Sequence, residues 1–131
     1  MGIHKGFRML LDCAEEAAAR KLPLHFTVVG TTIDDAALMR TGRVFVTGGF
    51  VPAEADRLIR SQRAALGWLP SIWPETWCFA LSDAWRAGLN VAVFDIGAQA
   101  ERVRATGRGT LLPLGLSPMQ INDALLALSV T

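Results

Sequence analysis

Five short apolar runs, at residues 24–29, 44–47, 66–69, 91–94 and 109–112, alternate with stretches whose apolar residues recur every three to four positions. No other feature narrows the fold as much. Short apolar runs bounded by glycine or proline read as buried strands, and the intervening period reads as helix. With loops this short, such units build parallel βαβ crossovers with helices on both faces of a sheet. The expected architecture is α/β, a parallel sheet of about five strands.

The first helix spans residues 3–21, with Phe7, Leu10, Leu11, Ala14 and Ala18 on one face. A short one within 31–40 has Asp34 or Asp35 as N-cap, and one over 52–63 carries proline in its first turn and turns Leu58 and Ile59 inward. Three more follow at about 76–87, 98–105 and 117–128, the last capped by Ser117. The chain thus opens on a helix, whereas a doubly wound domain opens on the strand that feeds it. If a strand has been cut away, its place is between the runs at 24–29 and 66–69. The gap must then be closed, or filled by a neighbour, because unpaired buried backbone groups are costly. A homodimer or other association is expected on that ground.

The 131 residues are 51% hydrophobic and 19% charged, enough apolar material for one real core and too much for a disordered chain. A net charge of +1 provides no electrostatic footprint for nucleic acid. No apolar run approaches the roughly 18 residues of a membrane span, and the start lacks the order of a signal peptide. A soluble cytoplasmic protein is the expectation. Cys13 and Cys78 suit neither a disulfide framework nor a zinc site, and His4 and His25 stand apart, so no metal is expected.

Ligands of such sheets sit at the carboxyl ends of the strands. Here those ends read Gly30-Thr31-Thr32, Thr47-Gly48-Gly49-Phe50, Pro70-Ser71 and Asp95-Ile96-Gly97. The dinucleotide fingerprint, the phosphate-binding loop with its lysine and the serine elbow of hydrolases are all missing. One segment, residues 69–84, carries usable chemistry. Glu75 stands where a helix begins, and the free N–H groups there attract anions. Asp83 follows eight positions later, within reach of a polyol such as ribose. The same residues also read as a dipole-stabilised acid and a solvated helix acid.

Pro74-Glu75, Asp83-Ala84, Ala87-Gly88-Leu89-Asn90-Val91 and Asp95-Ile96-Gly97 with Glu101 together resemble the donor-binding half of retaining GT-B glycosyltransferases, the group around family four. Upstream, Lys5-Gly6-Phe7 with Leu10-Leu11 is similar to the start of that half's first helix. The resemblance runs from His4 to Leu128, and it implies a Rossmann-like domain over residues 1–131 that binds a nucleoside-diphosphate sugar and uses no cofactor. By this resemblance Glu75 contacts the transferred sugar as the catalytic residue and Lys5 neutralises the diphosphate. The N–H groups near Trp77 and Cys78 hold the distal phosphate, Asp83 binds the ribose, and Phe50 borders the base. The resemblance further implies that the first strand, with its phosphate-binding arginine, and the whole acceptor half are missing.

Three residues depart from the pattern. Asp83 is one methylene shorter than the usual glutamate, Cys78-Phe79 replaces a small glycine pair, and Asn90 replaces a proline. These departures keep a second reading open, a catalytically silent interaction domain of the same fold. A receiver-type signalling module is a third, although it needs a lysine after the last strand and positions 110–117 have none.

Overall fold

A computed structural model of the chain describes residues 6–30, 32, 34–70 and 79–129. The elements run α1 (Phe7–Ala19), β1 (Phe26–Val28), α2 (Asp35–Met39), β2 (Val44–Val46), a 3-10 turn (Pro52–Glu54), α3 (Ala55–Ser61), β3 (Gly67–Leu69), α4 (Phe79–Arg86), β4 (Val91–Phe94), α5 (Gly97–Thr106), β5 (Gly109–Leu112) and α6 (Pro118–Ser129). Among the described residues five strands and six α-helices alternate as the periodicity requires, and every strand pair is parallel.

Strand β4 organises the larger sheet. It is buried at all four positions and lies between β3 and β5. Val91 and Val93 point to one face, against Leu81, Ala84 and Trp85 of α4 and Val103 of α5. Ala92 and Phe94 point to the other, against Cys13 and Ala17 of α1 and Ile121 and Leu125 of α6. Helices therefore cover both faces, and a strand buried on both sides reads as a continuous apolar run. α2 and α6 start where side chains satisfy the terminal backbone groups. Asp34 accepts from the N–H of Ala37 at 3.0 Å. Ser117 and Gln120 exchange bonds at 3.2 and 2.9 Å, a reciprocal capping box.

The expectation of one continuous sheet needs correction. β1 and β2 form a two-stranded sheet, while β3, β4 and β5 form a separate three-stranded one. No ladder joins β1 to β3, so the gap foreseen between residues 24–29 and 66–69 is present and is not closed by pairing. For the same reason β1 is shorter than its apolar run: only the stretch that meets β2 counts as strand. The helix foreseen over 52–63 is also shorter, because Arg63 adopts a left-handed φ of 53°. Residues 71–78, which include the start expected for the helix at 76–87, lie outside the described residues.

The seam between α1 and α6 carries a buried polar group. Asn122 is fully buried, and its amide donates to the Cys13 carbonyl and the Glu16 carboxylate, both at 2.8 Å. Arg20 bonds Glu16 and reaches Asp123 at 3.0 Å. The Arg20 hydrogen bond, aided by Asn122, holds the Glu16 carboxyl below its usual value. Burial, and after it the charges of Asp12 and Glu16, push the Cys13 thiol up to about 12 from 9.0. A raised folded-state value means the native chain holds the proton longer than the unfolded chain does. The thiol's contribution to stability is therefore complete below pH 9 and is lost as pH climbs from 9 to about 12. Denaturant titrations across that window should show stability falling in the wild type and falling less steeply in Cys13→Ala. Parallel curves for the two would contradict this assignment.

Candidate functional site at the carboxyl ends of the strands

Two corners form at the carboxyl edge. The first joins the ends of β1 and β2. Gly30, with φ +117°, donates its N–H to Thr47 Oγ1 at 3.0 Å and accepts from the Gly48 N–H at 3.0 Å. This antiparallel bridge locks the two strand ends together. The Phe50 ring covers it: a Cβ placed on Gly30 would stand 3.5 Å from Phe50 Cε1. Phe50 remains 39% exposed beside the exposed Val51, so the corner presents an apolar ledge over polar backbone.

The second corner joins the ends of β3 and β4. α1 begins here, with Gly6 pressed against Pro70 so closely that a Cβ would lie 2.2 Å from the Pro70 carbonyl oxygen. α5 begins after the turn that follows β4. Neither helix start has a side-chain cap, and neither has an acidic residue in its first turn. By contrast, α2 is capped by Asp34, and α3 carries Asp56 in its first turn. Uncapped N–H groups at the positive end of the dipole favour an anion.

Of the residues singled out by sequence, Phe50 stands at the first corner as expected for one that borders a base. Asp83 is half-buried on α4 and forms an ion pair with Arg86, three positions on. No hydrogen bond or ring contact joins Phe50 to Asp83. Lys5, Glu75, Trp77 and Cys78 lie outside the described residues. Sequence reasoning did not foresee Thr47 as the clasp of the first corner; the only signal was its place between a strand and two glycines.

The basic residues near α5 are engaged in packing. Asp95 pairs with Arg104. Arg102 and Arg108 each stand 5.1 Å from the Trp85 ring, whose indole donates to the Arg108 carbonyl at 2.8 Å. Among the described residues no three His, Cys, Asp or Glu side chains gather where a metal ion could be held, and no helix is long and apolar enough to cross a membrane.

A parallel α/β domain that brings paired glycines and uncapped helix starts to the carboxyl ends of its strands is an open domain of the Rossmann type. The signature described as glycosyl transferases group 1 matches residues 1–129, and the chain belongs to that family. Two solved structures share its fold. WaaG, a glycosyltransferase involved in lipopolysaccharide biosynthesis, superposes with a TM-score of 0.70 at 22% identity, over 98% of this chain and 35% of that one. Anabaena Alr3699/HepE in complex with UDP gives 0.71 at 20% identity, over 95% of this chain and 35% of that one. At such identities the likeness is one of fold, and the α/β architecture expected from the resemblance holds. The chain spans about a third of the length of these two proteins. No curated protein sequence matches it.

Proposed function

We propose that residues 1–131 are the donor-binding domain of a retaining glycosyltransferase, which holds a nucleoside-diphosphate sugar while the sugar passes to an acceptor bound by a domain outside this sequence. One arrangement carries the reading: the starts of α1 and α5, without a side-chain cap or an acidic residue in the first turn, lie at the carboxyl edge, one with Gly6 against Pro70 after β3 and the other following β4. Two dipole ends on one edge suit two linked phosphates. The UDP bound by the Anabaena relative is consistent with this ligand class. Phe50 then borders the base and Asp83 the ribose, Lys5 faces the diphosphate with the N–H groups near Trp77 and Cys78, and Glu75 contacts the sugar. The helix ends and Lys5 stabilise the leaving diphosphate as charge develops on it.

The Asp83–Arg86 pair favours the second reading, a silent interaction domain, because a paired acid has no need of a ribose. Calorimetric titration of UDP, GDP and ADP into wild type and Asp83→Asn separates the two. A carboxylate that receives hydroxyl bonds contributes about 1.5–3 kcal/mol, so the substitution should weaken the best nucleotide about 10- to 100-fold. The pair with Arg86 is partly exposed, and its loss should change stability by less than about 0.5 kcal/mol. Equal affinities would show that Asp83 serves only Arg86, and absence of binding by every nucleotide would support the silent domain.

A further inference from the structure

Charge is sorted between the two edges of the sheets. α1 starts against Pro70, at the carboxyl end of β3, and delivers the chain to the start of β1, so both parallel sheets begin at one edge. The segments that lead a helix into a strand there, 20–25, 40–43, 62–66, 87–90 and 107–108, hold six lysines or arginines and no carboxylate. Arg60 and Arg86, in the last turns of α3 and α4, bring the cations of this amino edge to eight. At the carboxyl edge the order is reversed. Among the described residues that lead strands into helices, Asp34, Glu54 and Asp95 stand without any lysine or arginine. Three of the eight cations have acidic partners: Arg20 pairs with Glu16 and Asp123, Arg60 with Asp56, and Arg86 with Asp83. Among the described residues no carboxylate pairs with Lys21, Arg40, Arg43, Arg63 or Arg108. The helix dipole favours cations in a last turn, and its reach ends there. It does not account for Lys21 and Arg63. Both adopt a left-handed φ, 56° and 53°, where Gly42, Gly88 and Gly107 serve the other three helix ends. Glycine meets no steric penalty in that conformation, and no other non-glycine residue among the described ones adopts it. The chain keeps a cation at two turns where the backbone favours glycine.

We infer that this amino edge docks on the surface of a bilayer that carries anionic phospholipids. Its cations come from five turns along the edge of two sheets, so the charge is spread along a rim. A rim suits an extended anionic surface better than a single phosphate. Apolar groups share it: Met39 is 45% exposed beside Arg40, and Pro23 is exposed two positions from Lys21. Basic and apolar groups on one face meet headgroup phosphates and the acyl boundary together. A nucleic-acid duplex would engage the cations and leave these apolar groups without a partner. The acids at the opposite edge are repelled by the same surface and turn the carboxyl edge toward solvent. Docking therefore leaves the candidate site open, whereas a second copy stacked edge to edge would cover it. The overall charge of +1 conceals this polarity, because acids elsewhere in the chain offset the edge. The inference holds whichever nucleotide the domain binds.

Cosedimentation with vesicles tests this, using phosphatidylcholine alone and an equimolar mixture with phosphatidylglycerol. The chain should pellet with the mixed vesicles at low salt, stay in solution with the neutral ones, and be released as salt rises. Lys21→Gly combined with Arg63→Gly should weaken binding about 25-fold, at roughly fivefold per cation. The melting temperature of that variant should hold or rise, because glycine relieves both left-handed turns. Arg8→Gln combined with Arg57→Gln removes the same charge away from the edge and should leave binding nearly unchanged. Equal binding to the two kinds of vesicle, or none to the mixed ones, would overturn the inference. So would equal losses in the two double variants, or no loss in either, which would place the contact elsewhere. A lower melting temperature in the glycine variant would show that the two cations serve the fold, and would overturn it too. Tighter binding to a DNA duplex than to the mixed vesicles would assign the edge to nucleic acid. Salt-sensitive oligomers in the absence of vesicles would assign it to a second copy. Either result contradicts the inference.

Discussion

Phe94→Ala should lower the unfolding free energy by about 3–5 kcal/mol, a large fraction of the roughly 5–15 kcal/mol that a domain possesses. Among the described residues Phe94 is the largest fully buried side chain, 1% exposed at the end of β4, which has a strand on either side. Its ring fills the face where α1 and α6 meet the sheet, packed among Cys13, Leu112, Ile121 and Leu125. Those residues belong to three different elements, so no single one can move in to fill the hole. Chemical denaturation gives the number directly. Phe45 is the internal control: the same residue type on β2, but 56% exposed, where truncation to alanine should change stability by less than about 0.5 kcal/mol. Similar losses at the two positions would show that the core has been wrongly located.

Gly6→Ala comes second in size, through backbone rather than cavity. The residue has a φ of +91°, which an L side chain adopts only at a cost, and its Cβ would lie 2.2 Å from the Pro70 oxygen and 2.6 Å from the Pro70 carbon. Backbone atoms cannot swing aside as a side chain can, so α1 must retreat from the end of β3. Conformational strain and overpacking together should cost roughly 2–5 kcal/mol. Gly88→Ala isolates the clash, since Gly88 has a φ of +84° with no atom near its missing Cβ. That variant should lose only about 1–2 kcal/mol. Thermal and denaturant unfolding of both measures the difference; equal losses would mean that the approach of Gly6 to Pro70 adds nothing.

The strands were legible where burial is two-sided. Val91-Ala92-Val93-Phe94 is apolar at every position because helices cover both faces, and its observed bounds equal the expected ones. The helix caps Asp34 and Ser117 were legible because the capping residue is itself the signal. The break between the two sheets was foreseen only as a gap. Apolarity reveals that a strand is buried, whereas the neighbour it pairs with depends on chain order in space. Leu24 and Val29 belong to an apolar run yet stand outside β1, because the ladder with β2 covers only Phe26–Val28.

The site was legible as a set of strand ends. Gly30, Gly48, Phe50, Asp95 and Gly97 all lie at the carboxyl edge, as the rule for parallel sheets demands. The sequence spacing of Asp83 and Arg86 permits their ion pair, yet whether the two side chains turn to each other is decided by the packing of α4. The clasp by Thr47 depends on the left-handed turn at Gly30, which no local pattern announces.

The claim that this edge holds a nucleoside diphosphate is tested most directly by amide chemical shifts during titration with UDP, GDP and ADP. The account predicts that one nucleotide moves the amides of Gly30, Gly48 and Phe50 at the first corner and those of Gly97 and Ala98 at the start of α5. The amides of α6 should stay in place. Shifts confined to other surfaces, or none for any of the three nucleotides, would contradict it.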